Sequence, residues 1–152
     1  MAVVAPLSRY KRNNVLIYIT VCLVGTIWCA YDGYFNEDFA KAHTNAEGQA
    51  EWELVFNRVA PPFLAAGTFF FGGWFYIIRK RRLVADDEAL TVPGKGVIRY
   101  DAIEKIDKTH FKQKGHFTIF YACNGNEAQL KLNDRQYDNL SEILDQIVAK
   151  IT

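Results

Sequence analysis

Two long stretches without a charged residue constrain the fold of this chain more than any other feature. The first, Val15–Tyr31, reads VLIYITVCLVGTIWCAY, and the second, Val59–Ile78, reads VAPPFLAAGTFFFGGWFYII. A bilayer core about 30 Å thick is spanned by roughly 17–25 apolar residues in a helix. The second stretch has that length, and the first reaches it if its helix continues for one more turn. We therefore predict two transmembrane helices, at about 15–35 and 59–78, joined by an outer connector at 36–58.

Two alternatives to a transmembrane hairpin remain open. Two buried helices of a soluble core would also be apolar throughout. A cleaved signal peptide would begin with the same cations that precede the first stretch, Arg9, Lys11 and Arg12. However, the stretch is long for a signal peptide and no A-x-A cleavage site follows it. The residue before Cys29 is Trp28, which does not fit a lipoprotein cleavage site, so an uncleaved anchor is the better interpretation.

The charges that flank the two stretches predict how the hairpin is oriented. The segment before the first stretch carries cations and no acid, and four consecutive cations follow the second: Arg79, Lys80, Arg81 and Arg82. The segment between them holds Lys41 and Arg58 against six acids: Asp32, Glu37, Asp38, Glu47, Glu51 and Glu53. Lys and Arg beside a span stay on the cytoplasmic side. We therefore predict a multi-pass protein of the cell (inner) membrane with both termini in the cytoplasm. The Arg79–Arg82 block would contact anionic lipid headgroups.

Small residues recur every four positions within the predicted spans. They are Gly25, Cys29 and Gly33 in the first span, and Thr68 and Gly72 in the second. Small residues at this spacing let two helix backbones approach closely. They fit packing within one hairpin, and they also fit self-association or docking onto a larger membrane complex. The stretches contain no acid or base, which argues against an ion pathway.

The outer connector ends in an apolar pattern. Trp52, Phe56 and Val59 recur at helical spacing, which predicts a short interfacial helix leading into the second span. Pro61 and Pro62 would then fall in the first turn of that span, where a missing N–H costs little. His43 lies in the polar part of the connector. We interpret it as a solvated histidine with no second ligand candidate nearby, and we predict no metal site.

Residues 83–152 change to short alternating runs typical of strands. The runs are RLVAD, ALTVPG, GVIRYDAIEKI, KTHF, HFTIFYA and EAQLKLND. Asn124-Gly125-Asn126 is a hairpin signal between the last two runs. The chain then ends in a helix with one apolar stripe: Tyr137, Leu140, Leu144, Ile147, Val148 and Ile151. Asn133 with Gln136 resembles a capping box at its start.

This pattern of antiparallel strands and one closing helix resembles a pleckstrin-homology-like (PH-like) domain. The stretch LVADDEALTVPGKGVIRYDAIEKIDKTHFKQKGHFTIFY, followed by LKLNDRQYDNLSEILDQIVAKI, is similar to PH-like domains of small bacterial membrane proteins. The segments YDGYFN and FNRVAPP, with the second span, resemble two-span proteins that carry such a domain. The resemblance implies an α+β fold: a transmembrane hairpin in residues 1–82, then a cytoplasmic β-sandwich or barrel in 83–152, capped by a helix. It implies no activity.

The segment KIDKTHFKQKGHF gathers cations around one turn: Lys105, Lys108, His110, Lys112, Lys114 and His116. A basic loop between two strands is where eukaryotic PH domains bind phosphorylated lipid headgroups, and lysines meet phosphate there by charge-assisted hydrogen bonds. The alternative is a solvated hairpin whose lysines prevent strand pairing between molecules. His110 and His116 could face each other across the hairpin, but two imidazoles without a third ligand make a poor metal site.

No sequence motif points to catalysis or to a cofactor. The chain lacks GxSxG, HExxH, P-loop and dinucleotide-binding fingerprints, and a net charge of +1 gives no basic field for nucleic acid. Two hypotheses follow. The chain is a membrane-anchored, non-catalytic protein that presents a cytoplasmic PH-like domain to protein partners or anionic headgroups. Alternatively, it is an accessory subunit docked through its helices in a larger membrane complex.

Overall fold

A computed structural model describes residues 2–123 and 125–151 as a mixed α+β protein. It contains two long helices, seven strands in two open sheets and a C-terminal helix. The chain divides into two compact units. Residues 14–76 form a helical unit, and the chain up to Asn13 together with the chain from Ile77 onward forms a strand unit. The predicted combination of two long helices with a β domain is therefore confirmed at this level.

The helical unit is built from the two predicted apolar stretches. Helix α1, Arg9–Ala30, continues as a π-helix, Tyr31–Phe35, and a short helix α2, Glu37–Ala42, follows. Helix α3 is Trp52–Ile78. By length and composition both long helices could cross a membrane. In the most apolar 18-residue segment of each helix, only 6% and 11% of the residues are buried. An exposed apolar surface of this length is compatible with the two predicted spans.

Helix α3 differs from the prediction at its start. No separate interfacial helix precedes it, because the helix runs without a break from Trp52 through Pro61 and Pro62. The two prolines therefore lie in the helix interior and not in its first turn. There they remove the hydrogen bonds to the carbonyls four residues earlier, those of Asn57 and Arg58.

The first sheet of the strand unit includes a strand that the sequence analysis did not find. Strand β1, Val3–Pro6, pairs with β2, and the antiparallel order is β1-β2-β3-β4. Strands β2, β3 and β4 are Arg82–Ala85, Ala89–Val92 and Gly96–Arg99. A four-residue strand containing a proline gives little periodicity, so its signal in the sequence is weak.

Ser8 fixes the start of α1 to the strand unit. Its hydroxyl oxygen accepts a hydrogen bond from the Lys11 N–H (3.1 Å) and donates one to the Arg135 carbonyl (2.5 Å). Ser8 is almost fully buried. This residue therefore caps α1 and anchors it to the C-terminal part of the chain at the same time.

The second sheet has the order β5-β6-β7. A 3₁₀-helix, Tyr100–Ala102, separates β4 from β5, Ile103–Asp107. One turn of helix, α4 (Phe111–Lys114), then leads into β6, His116–Cys123, and β7 is Asn126–Asn133. Strands β6 and β7 pair without a register shift from His116 with Asn133 to Cys123 with Asn126. The hairpin signal includes Asn124, which lies outside the described residues.

Helix α5, Leu140–Ile151, closes the core of the strand unit. Leu140, Ile143, Leu144 and Ile147 are buried among residues of both sheets, including Leu83, Leu90, Phe117, Ile119 and Leu132. The predicted apolar stripe is therefore confirmed at Leu140, Leu144 and Ile147, whereas Ile143 was not predicted, Tyr137 precedes the helix and Ile151 is exposed. The small sheets alone would bury too little surface, so the helix supplies much of the core.

Four details of the predicted domain are wrong, and the first is that the run GVIRYDAIEKI is not one strand but β4 and β5, separated by a 3₁₀-helix. The sheets are open, and no barrel is closed within residues 2–123 and 125–151. The predicted strand KTHF is a turn followed by the start of α4, because Asp107 accepts a hydrogen bond from Thr109 N–H (2.9 Å) and bends the chain. The predicted capping box is also wrong, because Asn133 accepts from Arg135 N–H in a turn (2.8 Å) and α5 begins only at Leu140.

Candidate functional site

The four lysines and two histidines singled out in the sequence lie on, or directly beside, one connection of the second sheet. We call them the basic cluster: Lys105 on β5, Lys108 and His110 in the turn, Lys112 and Lys114 on α4, and His116 at the start of β6. All are exposed except His116, which is half-buried. The connection is a turn and one helical turn rather than a tight hairpin, so its lysines lie on a protruding loop.

The loop that carries the basic cluster is anchored at two points. The Phe111 ring packs edge-on against the buried Phe117 ring, with centroids 5.4 Å apart. Gly115 ends α4 in the left-handed conformation, at φ 65°, and the Asp134 carboxylate occupies the space that a Cβ would need. The Asp134 N–H also donates to the Gly115 carbonyl (2.8 Å). The position of the loop is therefore determined by the packing of Phe111 on the core and by Asp134, which begins the turn after β7.

The lysines of the basic cluster are available for a ligand. In the described part of the chain, none of these four ammonium groups forms an ion pair with a carboxylate. Asp107 is near them, but its carboxylate is held by Thr109, and these hydrogen bonds lower its pKa, as do the nearby charges of His110 and Lys105. The Lys105 ammonium lies 5.9 Å from the centre of the Phe120 ring. The cluster thus offers unneutralised cations beside one ionised acid.

The two histidines of the cluster lie beside each other, with ring centroids 5.6 Å apart. The described residues contain no third His, Cys, Asp or Glu ligand close enough to complete a metal site with this pair. The arrangement therefore places two imidazole rings beside the lysines of the basic cluster.

The Arg79–Arg82 block directly follows the last residue of α3. All four side chains are exposed, and the Arg81 N–H bonds the Ile78 carbonyl (2.9 Å), so the chain turns before β2 begins at Arg82. Cations at a helix C-terminus interact favourably with the helix dipole. The block is therefore positioned where α3 ends and the sheet begins.

The small residues of the predicted helix interface have different surroundings. A Cβ at Gly25 would lie 3.2 Å from Leu64, and one at Gly33 would lie 2.6 Å from the Asn57 carbonyl oxygen. Cys29 is buried, and the Thr68 hydroxyl bonds the Leu64 carbonyl in its own helix (3.0 Å). A Cβ at Gly72 would meet no heavy atom of the described residues within 4 Å. Gly25 and Gly33 thus form the contact between the helices, whereas Gly72 does not.

Gly67 belongs to the same interface, and the sequence analysis missed it. A Cβ at this position would lie 3.3 Å from Cys22 Sγ. The sequence analysis chose Thr68 and Gly72, but the face of α3 that contacts α1 includes Gly67, one residue earlier than Thr68. Periodicity alone gives no signal that distinguishes these two adjacent positions.

The two long helices also contact each other where the prolines have freed carbonyl groups. The Tyr34 hydroxyl donates to the Arg58 carbonyl (2.7 Å), the acceptor that the N–H of a non-proline residue 62 would use. The Arg58 Nε in turn donates to the Gly33 carbonyl (3.0 Å). We call Gly33, Tyr34, Asn57 and Arg58 the outer joint. Through it the segment YDGYFN contacts the segment FNRVAPP.

A second group of side chains gathers in the connector, and the sequence analysis missed it. His43 Nδ1 lies 3.7 Å from Glu51 Oε2 and 4.0 Å from Glu53 Oε2. All three side chains are partly exposed, and the His43 ring stacks on Phe39 with centroids 4.3 Å apart. The hairpin-like turn between Thr44 and Ala50 brings the two acids back to His43. The sequence of this turn is polar and has no apolar periodicity, so it did not predict that Glu51 and Glu53 would lie beside His43.

Comparison with known proteins identifies no relative: no family model, no curated protein and no solved structure matches this chain.

Proposed function

We propose that this protein is a membrane-anchored, non-catalytic binding protein. Helices α1 and α3 form its transmembrane hairpin, and its PH-like strand unit presents the basic cluster to anionic lipid headgroups at the cytoplasmic surface. The observation that carries the proposal is the set of four exposed lysines without ion pairs, three on one anchored loop and Lys105 on the adjoining strand β5. The exposed apolar surface of both long helices supports the anchor.

The physical basis of the binding is electrostatic. A cation near an anionic membrane surface contributes about 1 kcal/mol, so three lysines together give roughly a hundredfold in affinity at low salt. The attraction extends about 30 Å at 0.01 M salt and about 10 Å at 0.1 M. Binding through the basic cluster should therefore decrease steeply as the salt concentration rises.

The binding test uses a soluble form of the strand unit that keeps both of its segments. Residues 2–13 are joined to residues 77–151 through a flexible Gly/Ser linker, because Ala5 and Ser8 are buried in this unit. A cooperative thermal melt first verifies that this protein folds. We expect it to co-sediment at low salt with liposomes that contain anionic lipid and to remain in solution with zwitterionic liposomes.

Matched lysine variants show whether liposome binding depends on the basic cluster itself or only on the net charge of the strand unit. Substitution of Lys108, Lys112 and Lys114 by Gln should abolish binding. The control removes the same charge from three other exposed lysines of the strand unit: Lys95, Lys131 and Lys150. If both triple variants bind alike, or if the unsubstituted protein does not bind at low salt, the headgroup proposal is wrong and the domain's ligand is a protein.

The orientation is tested with cysteine labelling in intact cells. Cys123 is exposed and serves as the native reporter for the strand unit. A reagent that cannot cross the membrane should label Thr44→Cys, introduced with Cys123→Ser, and should leave Cys123 of the unsubstituted chain unlabelled. Labelling of Cys123 from outside would contradict the cytoplasmic placement.

A second candidate function is favoured by Gly72 and Gly73. A Cβ at either position would meet no heavy atom of the described residues within 4 Å, although glycines elsewhere in the helices contact the opposite helix. This adjacent pair would let another transmembrane helix approach α3, as an accessory subunit of a larger complex requires. A stoichiometric partner that survives mild detergent, and that Gly72→Leu displaces, would support this function.

A further inference from the structure

We propose that His43, Glu51 and Glu53 form a binding site for a divalent transition-metal ion, with zinc as the probe. The site lies in the connector between the long helices and is independent of the basic cluster. The imidazole nitrogen and one oxygen of each carboxylate lie within 4.8 Å of one another. These are the donor atoms that zinc takes from proteins, and a water would complete a tetrahedron.

The three donors are close to the spacing that a metal needs. Zinc–nitrogen and zinc–oxygen bonds of 2.0–2.2 Å place the donors of a tetrahedral site about 3.3 Å apart. The His43 Nδ1 already lies 3.7 Å from one carboxylate and 4.0 Å from the other. Both Glu residues are exposed, so their side chains have room to rotate toward His43 and shorten these distances. The same exposure gives the ion an entry path.

The backbone beneath the site is formed by the chain itself. The Glu51 N–H donates to the His43 carbonyl (2.9 Å), next to the bridge between Thr44 and Ala50. Inside this turn the Asn45 side chain accepts from Gln49 N–H (2.7 Å), and Gly48 adopts φ 78°. The three ligands are therefore brought together without the ion, which reduces the ordering that binding would require.

The electrostatics of the site favour a cation. Within the described residues no Lys or Arg side chain is paired with Glu51 or Glu53. The two carboxylates therefore give the donor set a negative charge, which attracts a metal cation. An imidazole nitrogen suits zinc and its neighbours among the first-row metals, whereas calcium and magnesium prefer a shell made only of oxygen. The donor set therefore selects a transition metal.

The test titrates Zn²⁺ into the full-length protein in zwitterionic nanodiscs and follows binding by calorimetry. His110→Asn and His116→Asn are present in every sample, so that the second histidine pair cannot contribute. We expect one saturable ion per chain. His43→Asn and Glu51→Gln should each weaken the affinity at least about tenfold, since loss of even an indirect partner of a metal site costs about 10–100-fold. Glu47→Gln, an acid of the same connector outside the site, should have no effect.

A further measurement excludes a merely structural effect. Co²⁺ bound in place of zinc should give visible absorption bands that His43→Asn abolishes while the circular dichroism of the helices is unchanged. Equal Zn²⁺ affinity in the His43 variant, no saturable binding, or equally strong binding of Ca²⁺ would each overturn the proposal.

Discussion

The helical unit and the strand unit bury opposite kinds of residue. In the strand unit the large apolar side chains lie inside, and Phe117 and Ile119 are fully buried. In the helical unit they lie outside, and Phe69 is 81% exposed. Close contacts in the helical unit instead use glycines and backbone carbonyls. The strand unit therefore has an ordinary apolar core, whereas the apolar surface of the helical unit is of the kind that a bilayer would cover.

The largest effect should come from a carboxylate in the core of the strand unit. Leu144→Asp removes a buried leucine and introduces a charge that has no partner there. Loss of the leucine alone costs about 2–5 kcal/mol, and the buried carboxylate adds to that cost. Since domains of this size are only marginally stable, we expect the strand unit to unfold. Loss of amide hydrogen-exchange protection in the strands of the full-length chain measures this.

The control for this variant is Ser141→Asp, which places the same carboxylate on the exposed side of α5. It should retain native exchange protection. If Leu144→Asp also retains it, the packing of α5 described above does not stabilise the domain, and the contrast between the two units fails.

The second effect tests the surface of the helical unit. Phe69→Asp changes a side chain that is already exposed, so it would be harmless if α3 were surrounded by water. Near the middle of a membrane span, an aspartate costs about 2.5–3.5 kcal/mol. We expect the fraction of chain inserted into membranes, measured by carbonate extraction, to decrease sharply for Phe69→Asp and to stay unchanged for Phe69→Leu. Full insertion of the Asp variant would refute the transmembrane assignment of α3.

The sequence was sufficient to predict most elements of both units. The charge-free stretches locate α1 and α3, and the apolar stripe that includes Leu144 and Ile147 locates α5. These signals are strong because many residues repeat one period. Strand β1 was missed because four residues cannot establish a period, and its partner β2 lies more than 70 residues away.

The candidate sites were predictable to different degrees. The basic cluster is contiguous in sequence, so its residues had to lie on one connection. The outer joint and the group around His43 depend instead on how the chain returns between α1 and α3. The path of the chain between the two helices is set by the turn at Asn45–Gln49. The outer joint depends on two prolines inside α3, where helix propensity alone would predict that the helix ends. Neither follows from local periodicity.

The third effect concerns the close approach of the two long helices. A Cβ at Gly33 would lie 2.6 Å from the Asn57 carbonyl oxygen and 3.1 Å from the Arg58 nitrogen, both backbone atoms. Because backbone cannot move aside as a side chain does, we expect Gly33→Ala to cost about 1–3 kcal/mol. The thermal unfolding of the helical unit in nanodiscs, followed by circular dichroism, should shift to lower temperature.

Gly72→Ala is the matched control, since it adds the same methyl group to open space. Alanine is favoured over glycine inside a helix by about 1 kcal/mol, so this variant should be unchanged or slightly more stable. Equal destabilisation by the two substitutions would mean that the outer joint is not a close contact.

The smallest effect comes from a single hydroxyl group in the outer joint. Tyr34→Phe removes the donor to the Arg58 carbonyl and leaves the ring in place. Loss of one hydrogen bond costs about 1 kcal/mol. Tyr31 lies in the same π-helix, and its hydroxyl forms no hydrogen bond in the described part of the chain. Tyr31→Phe should therefore destabilise the helical unit less than Tyr34→Phe does. The same thermal unfolding experiment measures both variants.

A double-mutant cycle with Pro62→Ala shows whether Tyr34 replaces the hydrogen bond that the proline removes. Alanine at position 62 restores an N–H that reaches the Arg58 carbonyl along the helix, so that carbonyl no longer depends on the tyrosine. Tyr34→Phe should therefore cost about 1 kcal/mol in the chain that keeps Pro62 and much less in the Pro62→Ala variant, which gives a coupling energy of at least about 0.5 kcal/mol. Additive costs would mean that the hydroxyl and the proline act independently. In that case the Tyr34 hydroxyl would not replace the hydrogen bond that Pro62 removes.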